Sequence, residues 1–303
     1  MAQESIPTYI RNSIKRSGLV GQLIAVNVAV FLIVAVIGVL GKLMLYENLR
    51  DIVAINLAAP GDPVGLLYKP WTIVTQLFMH GDFLHLAFNM LGLYFVGRMF
   101  VQFFGEKRLL TTYIIGGIFG YLIHVLGHQF IPFFQQNAPG YIVGASGSLF
   151  AIFAAIGFYK PTLKVRLFGA FEMPLAFIFL PYLLYEFFSL TKGDNVAHLA
   201  HLGGAIFGAL SIINVHSPKQ FMNRLDKLFS FNLKGMFKRK PKMKVYKGDA
   251  RTMTDEEYNE NKNAIEERTN AILDKIAKKG YEGLSKEEKE FLFKQSKKNN
   301  PEA

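Results

Sequence analysis

The chain contains no cysteine, so disulfides, zinc–thiolate centres and thiol nucleophiles are excluded. It is also poor in charge. Only 19% of its residues are Asp, Glu, Lys or Arg against 51% hydrophobic, and from Leu109 through Tyr159 there is no charged side chain at all. A soluble domain must face water and almost never leaves so long a stretch bare, whereas two bilayer crossings with an uncharged connection account for it. No fixed-period repeat runs through the 303 residues, which sets solenoids aside. The N-terminus lacks a signal-peptide cleavage pattern. Its first apolar run, Leu19 to Leu40, is too long for a signal h-region and reads as a retained transmembrane helix.

What is present agrees with a membrane protein. Hydropathy places six spans, at about 19–41, 83–104, 109–131, 144–159, 173–191 and 196–215. Basic residues then orient them. Arg11, Lys15, Arg16, Arg98, Lys107, Arg108, Lys160, Lys164 and Arg166 lie on one side; Lys42, Arg50, Lys69 and Lys192 lie on the other. That asymmetry predicts cytoplasmic termini, and an even number of spans agrees. The net charge of +11 is concentrated after Ser217 and calls for anionic lipid rather than nucleic acid.

The connection 43–80 carries Leu45, Ile52, Ile55, Leu57, Leu66, Leu67 and Trp71, and is expected to lie as an amphipathic excursion in the outer leaflet, packed on the bundle. The tail divides in two. Residues 218–253 form a basic linker with Phe221, Leu228, Phe229, Phe231, Met236 and Phe237 interleaved, suited to a membrane surface. Residues 254–303 hold a helical hairpin turning at Lys279-Gly280-Tyr281. Ile265, Ile272, Leu273 and Ile276 line one helix, Leu284, Phe291 and Leu292 the other, and a capping box starts at Ser285. The expected organisation is a cytoplasmic segment 1–18, a six-helix domain 19–217, the linker and the hairpin.

Three spans hold polar groups at helical spacing, where hydrocarbon makes polarity costly and function the default explanation. Gly144-Ala145-Ser146-Gly147 opens the fourth span. A serine inside a membrane helix normally bonds back to a carbonyl, but one at a helix start meets unpaired N–H groups and a dipole that favours an anion. Flanking glycines let a substrate backbone approach. In the sixth span His201, Gly204 and Gly208 share one face, and the fourth offers Gly147, Ala151 and Ala155 in return. Close approach of these stripes would bring His201 within reach of Ser146. In the second span His85 and Asn89, four apart and continued by Gly92, can donate to a developing oxyanion, each such donor being worth ~3 kcal/mol. As mere interhelical contacts they would be worth about 0.6 kcal/mol.

These three patterns together resemble the rhomboid family of intramembrane proteases over about residues 10–217: HxxxN at His85/Asn89, GxSG around Ser146, and AHxxGxxxG from Ala200 to Gly208. The resemblance implies an all-α, six-helix membrane bundle and a serine protease. Ser146 would be nucleophile and His201 its base, in a dyad without a carboxylate. His85, Asn89 and the Ser146 N–H would form the oxyanion hole. Gly144, Gly147, Gly204 and Gly208 would give close packing, and Phe150 would pack on the histidine. The fifth helix and following loop, about 173–195, would be the substrate gate. Where the family often has Trp-Arg, this chain has Trp71-Thr72, which puts the anchoring of the first loop in question. The hairpin pattern resembles the C-terminal extension of rhomboids from the Bacteroidetes group.

The other polar residues are assigned no part in the reaction. His80 is placed in the interfacial loop, His198 is read as an interfacial histidine one turn above His201, and His124 and His128 have no polar partners in register. Glu186 either tunes the gate or reaches outer water. No metal and no cofactor are implied. The expected partners are transmembrane protein substrates and the bilayer, with no nucleic acid; the tail is expected to meet a cytoplasmic partner or anionic lipid. The expected location is a bacterial inner membrane. Three rivals carry their own signatures. An inactive relative that escorts membrane proteins usually lacks the serine or the histidine. A metal enzyme built on His80, His85, His198 and His201 would want an HExxH or clustered histidine boxes, and a transporter would want inverted repeats.

Overall fold

The computed structural model describes residues 12, 17–136, 140–167, 171–193, 196–229 and 255–299. The chain divides into two units, 1–232 and 233–303.

In the first unit, helix α1 spans Gly18–Leu43. After a run of short elements comes a 48-residue helix, Phe83–Phe130 (α5). It is broken at Gly105, whose φ of +79° suits only glycine without strain. The break divides α5 into two arms that correspond to the second and third predicted spans. Glu106, just past the break, accepts a hydrogen bond from the N–H of Leu19 at 2.9 Å and so caps the start of α1. Further along α1 the buried Asn27 donates to the Tyr113 hydroxyl at 3.0 Å, and Tyr113 donates to the Leu77 carbonyl at 3.0 Å. A buried amide and phenol thereby satisfy each other while tying α1, the first loop and α5 together.

Between α1 and α5 lie α2 (Leu49–Leu57), β1 (Ala59–Pro60), α3 (Pro63–Tyr68) and α4 (Thr72–Thr75), followed by a 3₁₀ turn at Gln76–Phe78. The expected excursion is ordered and anchored without the missing arginine. The Trp71 indole donates to the Asn56 carbonyl at 2.8 Å, Thr75 to Leu57 at 2.7 Å, and Arg50 to Gly81 at 3.1 Å. Tyr121 from α5 donates to the Pro60 carbonyl at 2.7 Å. Leu45, Leu67 and Trp71 remain exposed, as an outward apolar face requires.

A short helix α6 (Pro132–Gln135) and β2 (Tyr141–Ile142) lead to α7 (Ser146–Tyr159), then β3 (Lys164–Leu167), β4 (Phe171–Pro174), α8 (Ala176–Phe188), α9 (His198–Ser211) and α10 (Phe221–Leu228). The fold is mostly helical but not all-α. β1 pairs with β2, and β3 with β4, both antiparallel. The β3–β4 hairpin takes residues 171–174, so the fifth helix begins later than the expected 173. Among the described residues α1 and α5 are long and apolar enough to cross a membrane, and α7 and α8 are shorter apolar helices.

The centre is where α7, α9 and the second arm of α5 meet. A Cβ at Gly204 would collide with the Gly147 carbonyl, and one at Gly208 with the Ala151 carbonyl. The two predicted small-residue stripes therefore face each other. A third partner lies in α5: a Cβ at Gly120 would strike the Ala200 carbonyl, and one at Gly116 would stand 2.5 Å from the Ala151 Cβ. Three helices approach backbone to backbone there. The GGxxG pattern of Gly116-Gly117 and Gly120 signalled this in the sequence, although the charge-free run drew attention instead.

Helix α10, beyond Ser217, packs within this unit. Met222 is fully buried, and Arg108 reaches Asp226 at 2.7 Å, Gln220 at 2.9 Å and Asn223 at 2.7 Å. One guanidinium thus pins a whole helix through a fork of donors. Phe221 and Leu228 are exposed on its outer side. Phe231, Met236 and Phe237 lie outside the described residues.

In the second unit α11 (Asp255–Lys279) and α12 (Lys286–Asn299) flank a 3₁₀ turn at Tyr281–Gly283, with Gly280 at φ +71°. The Ser285 capping box closes both ways. Ser285 Oγ accepts from the Glu288 N–H at 3.3 Å, and Glu288 accepts from the Ser285 N–H at 2.7 Å. Glu288 also pairs with Lys275 at 2.9 Å, and these partners hold its carboxyl below the usual range. Ile272 and Leu284 are buried as expected, but Leu273 is half exposed. One position past Ile272, it turns about 100° off the apolar stripe.

Candidate active site

Ser146 is the first residue of α7, with Ala145 as its N-cap. What fixes this start is the strand before it: the Gly144 N–H donates to the Gln76 carbonyl at 2.9 Å, and Gln76 and Ala145 are both buried. The N–H groups of the first turn, Ser146 among them, have no partner within the helix. Gly144 has φ +126°, and a Cβ there would stand 2.7 Å from His85 Nε2 and 3.5 Å from Ser146 Oγ. Both backbone strain and the imidazole of His85 thus restrict that position to glycine.

His201 projects from the first turn of α9 toward α7. Its Nε2 lies 2.8 Å from Ser146 Oγ, the separation of a direct hydrogen bond. The backbone contacts of Gly204 on Gly147 and Gly208 on Ala151 set that distance, because nothing larger than hydrogen separates the helices. Phe150, one turn after the serine, stacks on the His201 ring with centroids 4.7 Å apart and planes 15° apart. Tyr182 from α8 backs Phe150 at 4.9 Å.

His85 and Asn89 stand on the first arm of α5. The Asp82 carboxylate accepts from the His85 N–H at 2.9 Å and caps the helix one turn below. Asn89 is buried, and among the described residues its Nδ2 has no hydrogen-bond partner. An unpaired buried amide costs about 1–3 kcal/mol, which marks it as a donor kept for something else. His80 packs edge-on against His85, with centroids 5.0 Å apart. Burial first, and the neighbouring His85 second, bring its pKa down to about 4. The ring is buried and stays neutral at pH 7.

Two residues depart from expectation. His198 is buried among the helices: it is 5% exposed, and its Nδ1 lies 2.7 Å from Glu186 Oε2. Glu186 does not reach outer water: it is 2% exposed, and the same oxygen lies 2.8 Å from His201 Nδ1. A dyad without a carboxylate is what the resemblance implies; here a carboxylate stands behind the histidine. No local pattern signals this, since Glu186 and His201 are on different helices and only packing joins them. His124 and His128 touch each other, with centroids 4.5 Å apart, and line a cavity of about 540 Å³ that reaches His198, Tyr141 and Lys192.

Fold and site together define a helical membrane protein with a serine–histidine pair at its centre. The comparisons supply the family. A rhomboid-domain model matches residues 68–218, and a second model, of a family of unknown function, matches residues 252–298. Curated relatives include RHOMBOID-like protein 12, mitochondrial, of Arabidopsis thaliana, 30% identical over 46% of this chain and 45% of its own length. Rhomboid protease GluP of Bacillus subtilis (strain 168) is 30% identical over 47% of this chain and 26% of its own. Rhomboid protease AarA of Providencia stuartii is 32% identical over 46% and 54% respectively. This chain belongs to the rhomboid family. It spans between about a quarter and about half the length of these relatives.

Proposed function

We propose that this protein is an intramembrane serine endopeptidase that cleaves single-pass membrane proteins near the outer face of the bilayer. The observation that carries the proposal is the 2.8 Å contact between Ser146 Oγ and His201 Nε2 at the start of a helix. Six segments cross the membrane in this reading: α1, the two arms of α5, α7, α8 and α9. A 14-residue helix such as α7 or α9 rises only about 21 Å, so the residues flanking it complete the ~30 Å path. The excess of basic residues on one side supports cytoplasmic termini, and the membrane in this reading is a bacterial inner membrane. The second unit then meets a cytoplasmic partner or anionic lipid.

The chemistry follows from the positions. Ser146 Oγ bonds to the scissile carbonyl carbon as its proton passes to His201 Nε2. The oxyanion accepts hydrogen bonds from the Ser146 N–H, Asn89 Nδ2 and His85 Nε2. The C–N bond breaks, His201 gives its proton to the departing amine, and an acyl-enzyme remains. Water then attacks with His201 again as base, releasing the acid and restoring Ser146. A substrate helix hides its carbonyls in its own hydrogen bonds, so small residues and helix breakers near the outer end should favour cleavage.

The test is cleavage of a model single-pass substrate by purified protein in liposomes, comparing wild type with Ser146→Ala and His201→Ala. Loss in both, with chelators having no effect, supports the proposal. A wild type that binds several substrates and cleaves none would make the protein an inactive escort. Cleavage that survives Ser146→Ala would put the nucleophile elsewhere.

A further inference from the structure

We propose that Glu186 is a positioning residue that turns the serine–histidine pair into a three-membered relay; this rests on the protease reading above. Glu186 comes from α8, whereas the base comes from α9 and the nucleophile from α7. One carboxylate oxygen, Oε2, stands 2.8 Å from His201 Nδ1 and 2.7 Å from His198 Nδ1.

With Glu186 ionised, the hydrogen-bond roles follow. A carboxylate only accepts, so both Nδ1 atoms carry the proton. For a neutral His201 this leaves Nε2 bare, facing Ser146 Oγ at 2.8 Å, which is the tautomer a general base needs. When His201 takes the serine proton, the imidazolium sits against a carboxylate instead of being an isolated charge among apolar helices. His198 supplies the second donor that holds Glu186 in place. A buried carboxylate requires such partners, and both side chains are buried.

The alternative is that Glu186, His198 and His201 hold a metal, since their donor atoms lie within 4.8 Å of one another. The spacing favours hydrogen bonds. Ligands about 2.0–2.1 Å from a tetrahedral ion stand roughly 3.3 Å apart, whereas these nitrogens are 2.7 and 2.8 Å from the oxygen. A metal on His201 Nδ1 would also displace the proton that fixes the tautomer.

The experiment is steady-state cleavage by the full chain in liposomes, with kcat and KM measured separately for wild type, Ser146→Ala, Glu186→Gln, Glu186→Asp and His198→Gln. Thermal unfolding of each variant checks that it is folded. Glu186→Gln keeps the shape, and its amide oxygen can still accept both hydrogen bonds, but it carries no charge to set against the imidazolium. We expect its kcat to fall at least tenfold with KM within twofold. Glu186→Asp, which keeps the charge on a shorter arm, should recover part of the loss, and His198→Gln should lose less than Glu186→Gln. A folded Glu186→Gln with kcat within twofold of wild type would overturn the inference and leave the protease intact. So would a wild type that a chelator silences and zinc restores, which would make the three residues metal ligands. A wild type as inert as Ser146→Ala would remove the protease reading and this inference together.

Discussion

Helices α8 and α9 both reach the proposed catalytic centre, but they are held there by opposite means. Helix α9 is locked by backbone: Gly204 and Gly208 rest on carbonyls of α7, and Gly120 of α5 comes against its Ala200 carbonyl. Helix α8 presents Phe177, Leu184, Tyr185, Phe187 and Phe188 outward and buries only Phe179 and Glu186. The nucleophile–base distance therefore depends on contacts that no side-chain rotation can relax. The carboxylate depends on one side chain and the packing of a lightly embedded helix. In the proposed mechanism the reacting pair rests on the glycine contact, and Glu186 comes from a helix with fewer buried residues.

Breaking the rigid side of this comparison should have the largest effects. Ser146→Ala and His201→Ala should each cost at least 10³-fold in kcat with the fold intact, because the proton transfer has no substitute; single-turnover cleavage checks this. Gly204→Val adds three carbons where even a Cβ meets the Gly147 carbonyl. It should lower both activity and stability, the latter by more than the ~1–3 kcal/mol of ordinary overpacking. A thermal unfolding midpoint equal to wild type would show that the helices are not in contact as described.

Smaller effects belong to the groups around the reacting atoms. Asn89→Ala should reduce kcat about 10²-fold at unchanged KM, as for the loss of one oxyanion donor. If KM alone rises, Asn89 binds substrate and does not serve the transition state. Phe150→Leu removes the ring stacked on His201 and should cost about 0.5–1.5 kcal/mol, a few-fold in rate, mainly by loosening the base.

The smallest is a pH effect on stability. His80 has a folded pKa lowered from 6.5 to about 4. Between those values the unfolded chain binds the extra proton, so stability is intact above pH 6.5 and declines as pH falls toward 4. His80→Gln should flatten that decline in pH-dependent unfolding, while an unchanged slope would mean that other groups carry it.

Much of this was legible in the sequence, and the physics says which part. Positions of the long helices follow from apolar length, and the Ser146–His201 contact follows from two small-residue stripes that had to meet. The capping box at Ser285 is a local pattern and closes as read. Pairing between distant helices is not local, so the approach of Glu186 to His201 could not be read from either segment. The same holds for β1 with β2, two short pieces about 80 residues apart. Leu273, one step from Ile272, lies about 100° round the helix, at the edge of an apolar stripe, and spacing alone does not decide which of the two is buried.

The most direct test of the central claim is covalent: treat the intact protein in liposomes with a fluorophosphonate and locate the adduct by peptide mass spectrometry, in wild type and in His201→Ala. The structure predicts one adduct on Ser146 that forms readily in wild type and is lost, or slowed at least 10³-fold, without the histidine. An adduct on another serine, or equal labelling of Ser146 in the absence of His201, would contradict the account.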